Sequence, residues 1–313
     1  MILSCGEALI DFVPVRAADG GWAYRPAIGG SLYNVALTMG RLGARVGFLG
    51  ALSTDIFGEQ LIEGLRKSMV DLDYTTRSDE PSTLAFVSLG DGEPEYAFFD
   101  ELTSSRMWSR ARAPQIGDDV SVIHFGSISL LNEPGGSERL ALLQAEASRR
   151  VISFDPNIRP TMIKDEASYR ARLDQIFSTA HLVKISAADL EWLRPGLAPD
   201  EAARSILAAN ARLVVVTMGG KGAHAWGRAA TAFVPVEPVE VVDTVGAGDS
   251  FMGGLLTWLQ EHDAHSIAGL ESLDASELRA ALSFAARVAS ITCGRQGADP
   301  PWRHELGLVA SGI

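Results

Sequence analysis

The sequence predicts an α/β fold with a mostly parallel central sheet that carries helices on both faces. Short runs rich in β-branched residues alternate with helical patterns through the second half of the chain. Parallel strands need a long crossover connection, usually a helix, so this alternation favours a parallel sheet. The chain has 313 residues, of which 47% are hydrophobic, enough for one large core and a small accessory element. Since it has no internal repeat, low-complexity tract or clear linker, we expect a single domain over residues 1–313.

The N-terminal part supplies the first strands and helices. The apolar runs ILSCG and ALIDFVPV open the chain, and ARVGFLGAL has the composition of a buried strand. The pattern LYNVALTMGRLG indicates a helix. STDIFGEQLIEGLRKSM indicates a second helix, capped by Ser53, Thr54 or Asp55.

The second half repeats a strand-then-helix order. We expect strands within DVSVIHFGSI, RVISFDP, HLVKIS and RLVVVTMG, and helices within SERLALLQAEASRR, EASYRARLDQIFSTA and PDEAARSILAANA. Residues 84–99 differ, because two extended runs, LAFVSL and EYAFF, flank the turn-like GDGEP at 90–94 and predict a hairpin. Together with the segment near 12–28, this hairpin is expected to form a small separate sheet.

The charge and cysteine content exclude several classes of protein. A formal net charge of −12 argues against nucleic acid or an anionic membrane as the main partner, since both require a basic surface. Cys5 and Cys293 lack the spacing of a metal site or a disulfide framework, so we expect two buried free thiols. The first residues lack the basic segment of a signal peptide, and no apolar run reaches ~18 residues. We therefore expect a cytoplasmic protein.

The segment DTVGAGDSF, residues 243–251, is the strongest candidate for chemistry. It follows the strand-like run VEVVDT and precedes the apolar helical run FMGGLLTWL. The small residues Gly246, Ala247 and Gly248 allow close backbone approach, and unpaired amides at a helix N-terminus bind anions. A carboxylate at Asp249 would repel such an anion, unless it removes a proton from a hydroxyl that attacks the anion. The alternative is that Asp249 only complements the helix dipole.

A second glycine-containing segment, GGSLYNVALTMGRLG at 29–43, also precedes a helix. Gly29 and Gly30 allow close backbone approach, and the Asn34 amide can both donate to and accept from a polyol. Asp11 follows the first strand and can bind two adjacent hydroxyls with its two oxygens. Alone, each feature is equally compatible with an ordinary turn or cap.

Taken together, the two segments resemble the signatures of the ribokinase-like, or PfkB, family of sugar kinases, over nearly the whole chain. The resemblance implies a three-layer α/β/α sandwich with a small β-sheet lid built from about 12–30 and 84–106. It implies ATP and Mg²⁺ as cofactors, and a monovalent cation such as K⁺. It assigns catalysis to Asp249, the anion hole to Gly246, Ala247 and Gly248, and sugar binding to Asp11, Gly29, Gly30 and Asn34.

Further segments extend the resemblance. DPNIRP resembles a fructokinase loop in which Asn157 and Arg159 face the sugar and phosphates, and a guanidinium also suits phosphate geometry on its own account. KISAADLEWL and VVVTMGGKGA resemble nucleotide-binding segments, which implicate Lys184, Ser186, Thr217, Gly219 and Gly222. Ser186 is equally suited to cap a helix, and Asp189 stands where relatives place an acid near Mg²⁺. The run ending in GRQGADPP resembles the family's last loop, which makes Asp243, Val245 and Gly297 candidate cation ligands. Phe98 and Phe99 are candidate apolar contacts in the lid.

Within the family, the segments GEALIDFVP, YAFFDE and DPNIRP look closest to bacterial fructokinases. Leu102 departs from that pattern, and 2-keto-3-deoxygluconate, another sugar or a nucleoside are alternative acceptors. Two other classes of function remain as alternatives: a hydrolase with Ser250 of GDSF as nucleophile, and a sugar-binding protein without activity. We expect a small-molecule sugar and ATP as ligands, and a homodimer through the lid, whose edge strands would otherwise be exposed.

Overall fold

The computed structural model describes residues 1–88 and 95–307. Its strands are β1 Ile2–Cys5, β2 Leu9–Arg16, β3 Trp22–Gly29, β4 Val46–Ser53, β5 Thr75–Ser78, β6 Thr83–Ser88, β7 Glu95–Phe99, β8 Val122–Gly126, β9 Val151–Asp155, β10 Leu182–Ser186, β11 Leu213–Thr217, β12 Ala223–Gly227 and β13 Thr231–Val234. Its α-helices are α1 Ser31–Arg41, α2 Ile56–Lys67, α3 Gly135–Glu146, α4 Glu166–Phe177, α5 Ala187–Leu193, α6 Pro199–Ala209, α7 Ala247–Glu261, α8 Ile267–Ser272 and α9 Ala275–Cys293.

The main sheet has nine strands in the order β13-β12-β11-β10-β9-β8-β1-β4-β5. In this order, each neighbouring pair of strands between β11 and β5 is parallel. β12 and β13 are antiparallel and form one edge of the sheet. Successive side chains of a strand point to opposite faces, and here both faces are buried. Thus Ile2 and Val122 belong to one core and Leu3 and Ile123 to the other. The predicted α/β/α sandwich is confirmed.

The lid is a second, four-stranded sheet in the order β3-β2-β6-β7. Two antiparallel hairpins, β2–β3 and β6–β7, are joined by parallel pairing of β2 with β6. The hairpin expected at 84–99 is therefore present, although its predicted turn at 90–94 lies outside the described residues. β2, which carries Asp11, follows directly after β1 in the chain.

Two helices that begin beside the lid pack closely enough to bring distant residues together. A Cβ at Gly253 of α7 would lie only 2.6 Å from Cβ of Thr38 of α1, so the bare glycine allows this approach. The N-terminal turns of α1 and α7 consequently face one another. This places Asn34, in the first turn of α1, next to Asp249, in the first turn of α7.

Several local expectations need correction or refinement. The run VEVVDT is not a strand, because it pairs with none of the strands in the described part of the chain. The amides of Val242 and Asp243 instead donate to the carbonyl of Cys293, and the Val242 side chain is 62% exposed. Of the three candidate caps of α2, Asp55 accepts the amides of Phe57 and Gly58.

The remaining chain-wide predictions concern thiols and membrane spans. Cys5 is buried, Cys293 is only half-buried, and neither forms a disulfide. Across residues 1–88 and 95–307, none of the helices is both long and apolar enough to cross a membrane.

Candidate active site

A cleft of about 230 Å³ lies between the lid and the facing ends of α1 and α7. Its lining residues come from seven separate parts of the chain, which the sheet order brings to one edge. Predicted site residues that line it are Asp11, Gly30, Asn34, Asn157, Arg159, Lys184, Val245, Gly246, Gly248 and Asp249. This edge is formed by the carboxyl ends of β1, β9 and β10, where α/β proteins commonly bind ligands.

Asp249 lies on the cleft wall with both carboxylate oxygens held. The Ser31 hydroxyl donates to Oδ1 at 2.6 Å, and Asn34 Nδ2 donates to Oδ2 at 2.9 Å. The side chain is only 8% exposed. Burial raises the pKa of Asp249, against the hydrogen bonds from Ser31 and Asn34 and the charge of Lys184. An oriented carboxylate with a raised pKa is well suited to accept a proton.

The side chain of Asn34 can accept a hydrogen bond from a ligand. Its Nδ2 is used by Asp249, but its buried Oδ1 has no hydrogen-bond partner among the residues that the structure describes. A buried carbonyl oxygen without a partner is costly, so a hydroxyl that donates to it would stabilise the site. Asp11 lines the same end of the cleft, and a Cβ at Gly29 would lie 2.3 Å from its Oδ2. Gly29 therefore leaves room for the Asp11 carboxylate.

The N-terminus of α7 forms the floor of the cleft. Gly246 is the N-cap in the left-handed conformation with φ 75°, and a Cβ there would lie 2.5 Å from Cβ of Ala298. The amides of Gly246 and Gly248 have no hydrogen-bond partner within residues 1–88 and 95–307. The Ala247 amide instead closes a turn onto the Thr244 carbonyl at 3.2 Å. The free amides offer an anion site supported by the helix dipole.

Cationic side chains border the same floor. Lys184 is buried, and its Nζ contacts Asp155 Oδ2 at 2.8 Å. The same Nζ lies 3.1 Å from the position that a Cβ of Gly248 would occupy. Arg159 is exposed, and its Nη1 donates to Asn157 Oδ1 at 2.7 Å. Lys184 therefore lies next to the free amides of α7, and Arg159 lines the same cleft.

Other predicted residues lie outside the cleft. Ser186 caps α5, because its Oγ accepts the Asp189 amide at 3.0 Å. Asp189 in turn accepts the Ile158 amide, and its pKa is raised to about 6 by burial and by Asp155. Thr217 ends β11, while Gly219 and Gly222 lie in the following loop with positive φ values of 53° and 98°.

The candidate cation ligands belong to one connected turn. Asp243 accepts the Val245 amide with Oδ1 at 3.0 Å and the Gly297 amide with Oδ2 at 2.9 Å. Its carboxylate thus ties the loop before α7 to the loop after α9. Nearby backbone carbonyls, rather than this occupied carboxylate, would have to supply most ligands for a cation.

Of the two phenylalanines expected in the lid, Phe98 lines the cleft and Phe99 does not. Adjacent residues on a strand point to opposite faces, and Phe98 shares its face with Asp11. Phe99 instead packs its ring against Phe86 at 5.6 Å between centroids, and it is 60% exposed. It also lines a separate cavity beside the cleft.

Sequence reasoning missed Ser31 and Glu7. Both lie in the quoted segments, but their contacts join positions far apart in the chain. Ser31 contacts Asp249, which is 218 positions away, and Glu7 accepts the Ser31 amide at 3.0 Å. In the sequence, the Ser31 hydroxyl at the start of a helix indicated only a helix cap and not a contact with Asp249.

Similarity to known proteins agrees with this geometry. A model of the pfkB family carbohydrate kinases matches residues 1–305. The chain belongs to the PfkB family. This ATP-dependent carbohydrate kinase is 43% identical over 279 residues to a fructokinase of Rhizobium leguminosarum bv. trifolii, covering 89% of this chain and 86% of the relative.

Two solved structures share the whole fold of this PfkB kinase. A fructokinase from Xylella fastidiosa with bound ATP is 28% identical, with a TM-score of 0.88 and 97% of each chain covered. A fructokinase double mutant from Vibrio cholerae O395, in a form bound to fructose, ADP and a potassium ion, is 25% identical. It has a TM-score of 0.82, with 95% of this chain and 93% of that chain covered.

The hydrolase alternative does not fit this PfkB kinase. Ser250 is 1% exposed, and its Oγ accepts a hydrogen bond from Thr292 Oγ1 at 2.9 Å. A nucleophile must reach its substrate and contact a base, and this hydroxyl does neither. Asp249, one residue earlier, faces the cleft instead.

Proposed function

We propose that this kinase transfers the γ-phosphoryl group of ATP to a hydroxyl of D-fructose, with Asp249 as the general base. One observation carries the proposal: Asp249 is buried and oriented by Ser31 and Asn34, directly beside the free amides of Gly246 and Gly248. The cleft therefore combines a proton acceptor with an anion site, which is what transfer of a phosphoryl group to a hydroxyl requires.

The reaction follows from this arrangement. Asp249 takes the proton of one sugar hydroxyl as the hydroxyl oxygen attacks the γ-phosphorus. The bond from that phosphorus to the bridging β–γ oxygen breaks, and ADP leaves with the electron pair. The amides of Gly246 and Gly248, together with Lys184 and Arg159, stabilise the negative charge on the transferred group. Turnover therefore depends mainly on positioning and electrostatics.

The residues in and around the cleft are compatible with Mg²⁺ bound mainly through ATP. Mg²⁺ usually uses one or two carboxylates together with substrate phosphates. In the described part of the chain, no group of three or more His, Cys, Asp or Glu residues could hold a metal alone. Asp155 Oδ1, however, is buried without a partner in the same part, and Asp189 lies nearby. Asp155 and Asp189 would hold the ion or its water, which would neutralise phosphate charge. Thr217, Gly219 and Gly222 would border the nucleotide.

The charge distribution favours a neutral sugar over a sugar acid. Asp11 and Asp249 lie close enough for the charge of Asp249 to raise the pKa of Asp11, and Glu7 lines the same cleft. A carboxylate placed beside these side chains would be repelled at close range. Fructose therefore fits better than 2-keto-3-deoxygluconate, and Asp11, Asn34, Gly29 and Gly30 would hold its hydroxyls.

The test of this function is ADP release from Mg-ATP with a panel of acceptors. We expect the highest kcat/KM for D-fructose, with lower values for 2-keto-3-deoxygluconate, ribose, tagatose, glucose and adenosine. Preference for 2-keto-3-deoxygluconate would overturn the assignment of fructose but leave sugar kinase activity intact. Absence of turnover with every acceptor would instead favour a sugar-binding protein without activity.

The carboxyl of Asp11 predicts a pH dependence. Burial, and secondly the charge of Asp249, raise the pKa of Asp11 to about 6. Asp11 accepts two hydroxyls only when it is ionised, so kcat/KM for fructose should fall as the pH is lowered through about 6. In Asp11→Asn we expect a higher KM at every pH and a smaller fall near pH 6. A wild-type profile that stays level between pH 5 and 7 would contradict this role.

We further propose that a monovalent cation binds at the turn that joins Asp243, Val245 and Gly297. The support is the pair of hydrogen bonds from Val245 and Gly297 to Asp243, together with the potassium ion bound by the Vibrio cholerae relative. A cation there would act on the amides of α7 by fixing the loop before them. Repeating the fructose assay with and without K⁺ tests this, and equal rates would count against it.

We also propose a homodimer through the outer face of the lid. This face carries an aromatic layer in which Phe12, Tyr24 and Phe99 pack around Phe86. Trp22 on the same face is 60% exposed. Clustered exposed aromatic side chains are typical of interfaces.

Sedimentation velocity tests the dimer. We expect the wild type to sediment as a dimer and the double variant Trp22→Ser, Tyr24→Glu to sediment as a monomer, because it places charge in the aromatic layer. Phe233→Ser is the matched control, since Phe233 is an exposed aromatic residue on β13 of the main sheet. A wild-type monomer at micromolar concentration would refute the proposal.

A further inference from the structure

Glu7 is a buried carboxylate that the mechanism above does not use. It lies between β1 and β2 and is 2% exposed. Its Oε1 accepts the amide of Ser31 at 3.0 Å, and Ser127 lies close enough to the carboxylate to favour its charged form. Burying a carboxylate is costly, so its placement beneath the cleft points to a specific task.

That task concerns the first turn of α1. The N-cap of α1 is Gly30, which has no side chain to bind the free amides of the helix. Gly30 has φ 105°, and a Cβ there would lie 2.9 Å from the carbonyl oxygen of Glu7. The Glu7 backbone thus packs against the cap, and the Glu7 side chain replaces the capping group that Gly30 lacks.

The first turn of α1 also orients the proposed base, Asp249. Ser31 donates its amide to Glu7 and its hydroxyl to Asp249. Asn34 donates its own amide to the Gly30 carbonyl and its side chain to Asp249. Any rotation of this turn would therefore move both groups that orient Asp249.

We propose that Glu7 is a positioning residue for phosphoryl transfer, which fixes Ser31 so that its hydroxyl orients the base. This inference rests on the proposed role of Asp249. Because Glu7 acts through Ser31 on the base, its loss should lower kcat more than it raises KM. We expect a fall in kcat of at least about tenfold, since small misplacements of reacting groups cost one to two orders of magnitude.

The test is a double-mutant cycle of Glu7→Met and Ser31→Ala on kcat, with Glu7→Gln as the conservative variant. Gln keeps an oxygen acceptor for the Ser31 amide, whereas Met removes it at similar length. Arg139 is buried close to Glu7, so unfolding temperatures are measured for every variant. If Glu7→Met does not fold, Glu7→Asp takes its place, because the shorter side chain moves the carboxylate oxygen away from the Ser31 amide. Asp274→Ala is the matched control, since Asp274 caps the start of α9, whereas the other end of α9, at Cys293, contacts the loop before α7.

Support for the inference would be near wild-type kcat in Glu7→Gln, a tenfold or larger loss in Glu7→Met, and little further loss when Ser31→Ala is added. Equal kcat in Glu7→Met and wild type, or fully additive losses with Ser31→Ala, would overturn it. Hydrogen exchange of the peptide that contains Ser31 gives a second readout that needs no turnover. Exchange should accelerate in Glu7→Met but not in Asp274→Ala, and unchanged exchange would refute the contact. A wild type without turnover would overturn the proposed function alone.

Discussion

Asp249→Asn is expected to lower kcat by about 10²–10⁴-fold, the usual contribution of a general base. An asparagine has nearly the same shape and can still bond with Ser31 and Asn34, but it cannot take a proton from the sugar hydroxyl. The fold and the affinity for fructose should therefore change little. Steady-state kinetics and calorimetric titration with fructose measure the two effects separately.

The control for this prediction is Ser250→Ala, at the next residue of the same helix. Ser250 bonds with Thr292 within the packing of α7 against α9, so its loss should affect stability more than turnover. Wild-type turnover in Asp249→Asn would remove Asp249 from the role of base. Loss of fructose binding in that variant would instead assign Asp249 to substrate recognition.

Lys184→Met is expected to have the second large effect, on both turnover and stability. Removing one preorganised group that stabilises transition-state charge typically lowers kcat by about 10²–10³-fold. Lys184 also neutralises Asp155 at 2.8 Å, and both side chains are buried. Removing one partner of a buried ion pair costs about 3–5 kcal/mol in the free energy of unfolding. Kinetics and denaturant unfolding measure the two losses.

A double variant separates the two roles of Lys184. Lys184→Met with Asp155→Leu removes both charges, so it should recover part of the lost stability. It should not recover turnover, because the phosphoryl group would still lack the Lys184 charge. Turnover that recovers together with stability would mean that Lys184 acts only through folding.

The sequence was sufficient for the fold and for the chemistry of single segments. Parallel strands that are buried on both faces have continuous apolar sequences, so β4, β8 and β11 could be predicted as strands. The strands β12 and β13 were missed, because their short runs AHAWG and TAFV show no clear alternation of apolar and polar residues. VEVVDT has the composition of a strand but pairs with no strand within residues 1–88 and 95–307, and only tertiary structure reveals this.

The site was predictable where a residue type carries its own chemistry. Asp249 after small residues at a helix start indicated a base beside an anion site, and the structure places it in the cleft with Asn34 and Asp11. Ser31 could not be found in this way, since a hydroxyl at a helix start fits ordinary capping. Phe98 and Phe99 are neighbours on β7 and point to opposite faces of the lid sheet. Which of them faces the cleft depends on how β7 pairs with β6, and the sequence does not reveal this pairing.

The most direct test of Asp249 as the base beside the anion site is a crystal structure of the protein with D-fructose and a non-hydrolysable ATP analogue. We predict one fructose hydroxyl within about 3.2 Å of an Asp249 carboxylate oxygen, in line with the terminal phosphorus. The terminal phosphate should accept the amides of Gly246 and Gly248 and lie near Lys184. A fructose molecule with no hydroxyl near Asp249, or a terminal phosphate away from the start of α7, would contradict the mechanism.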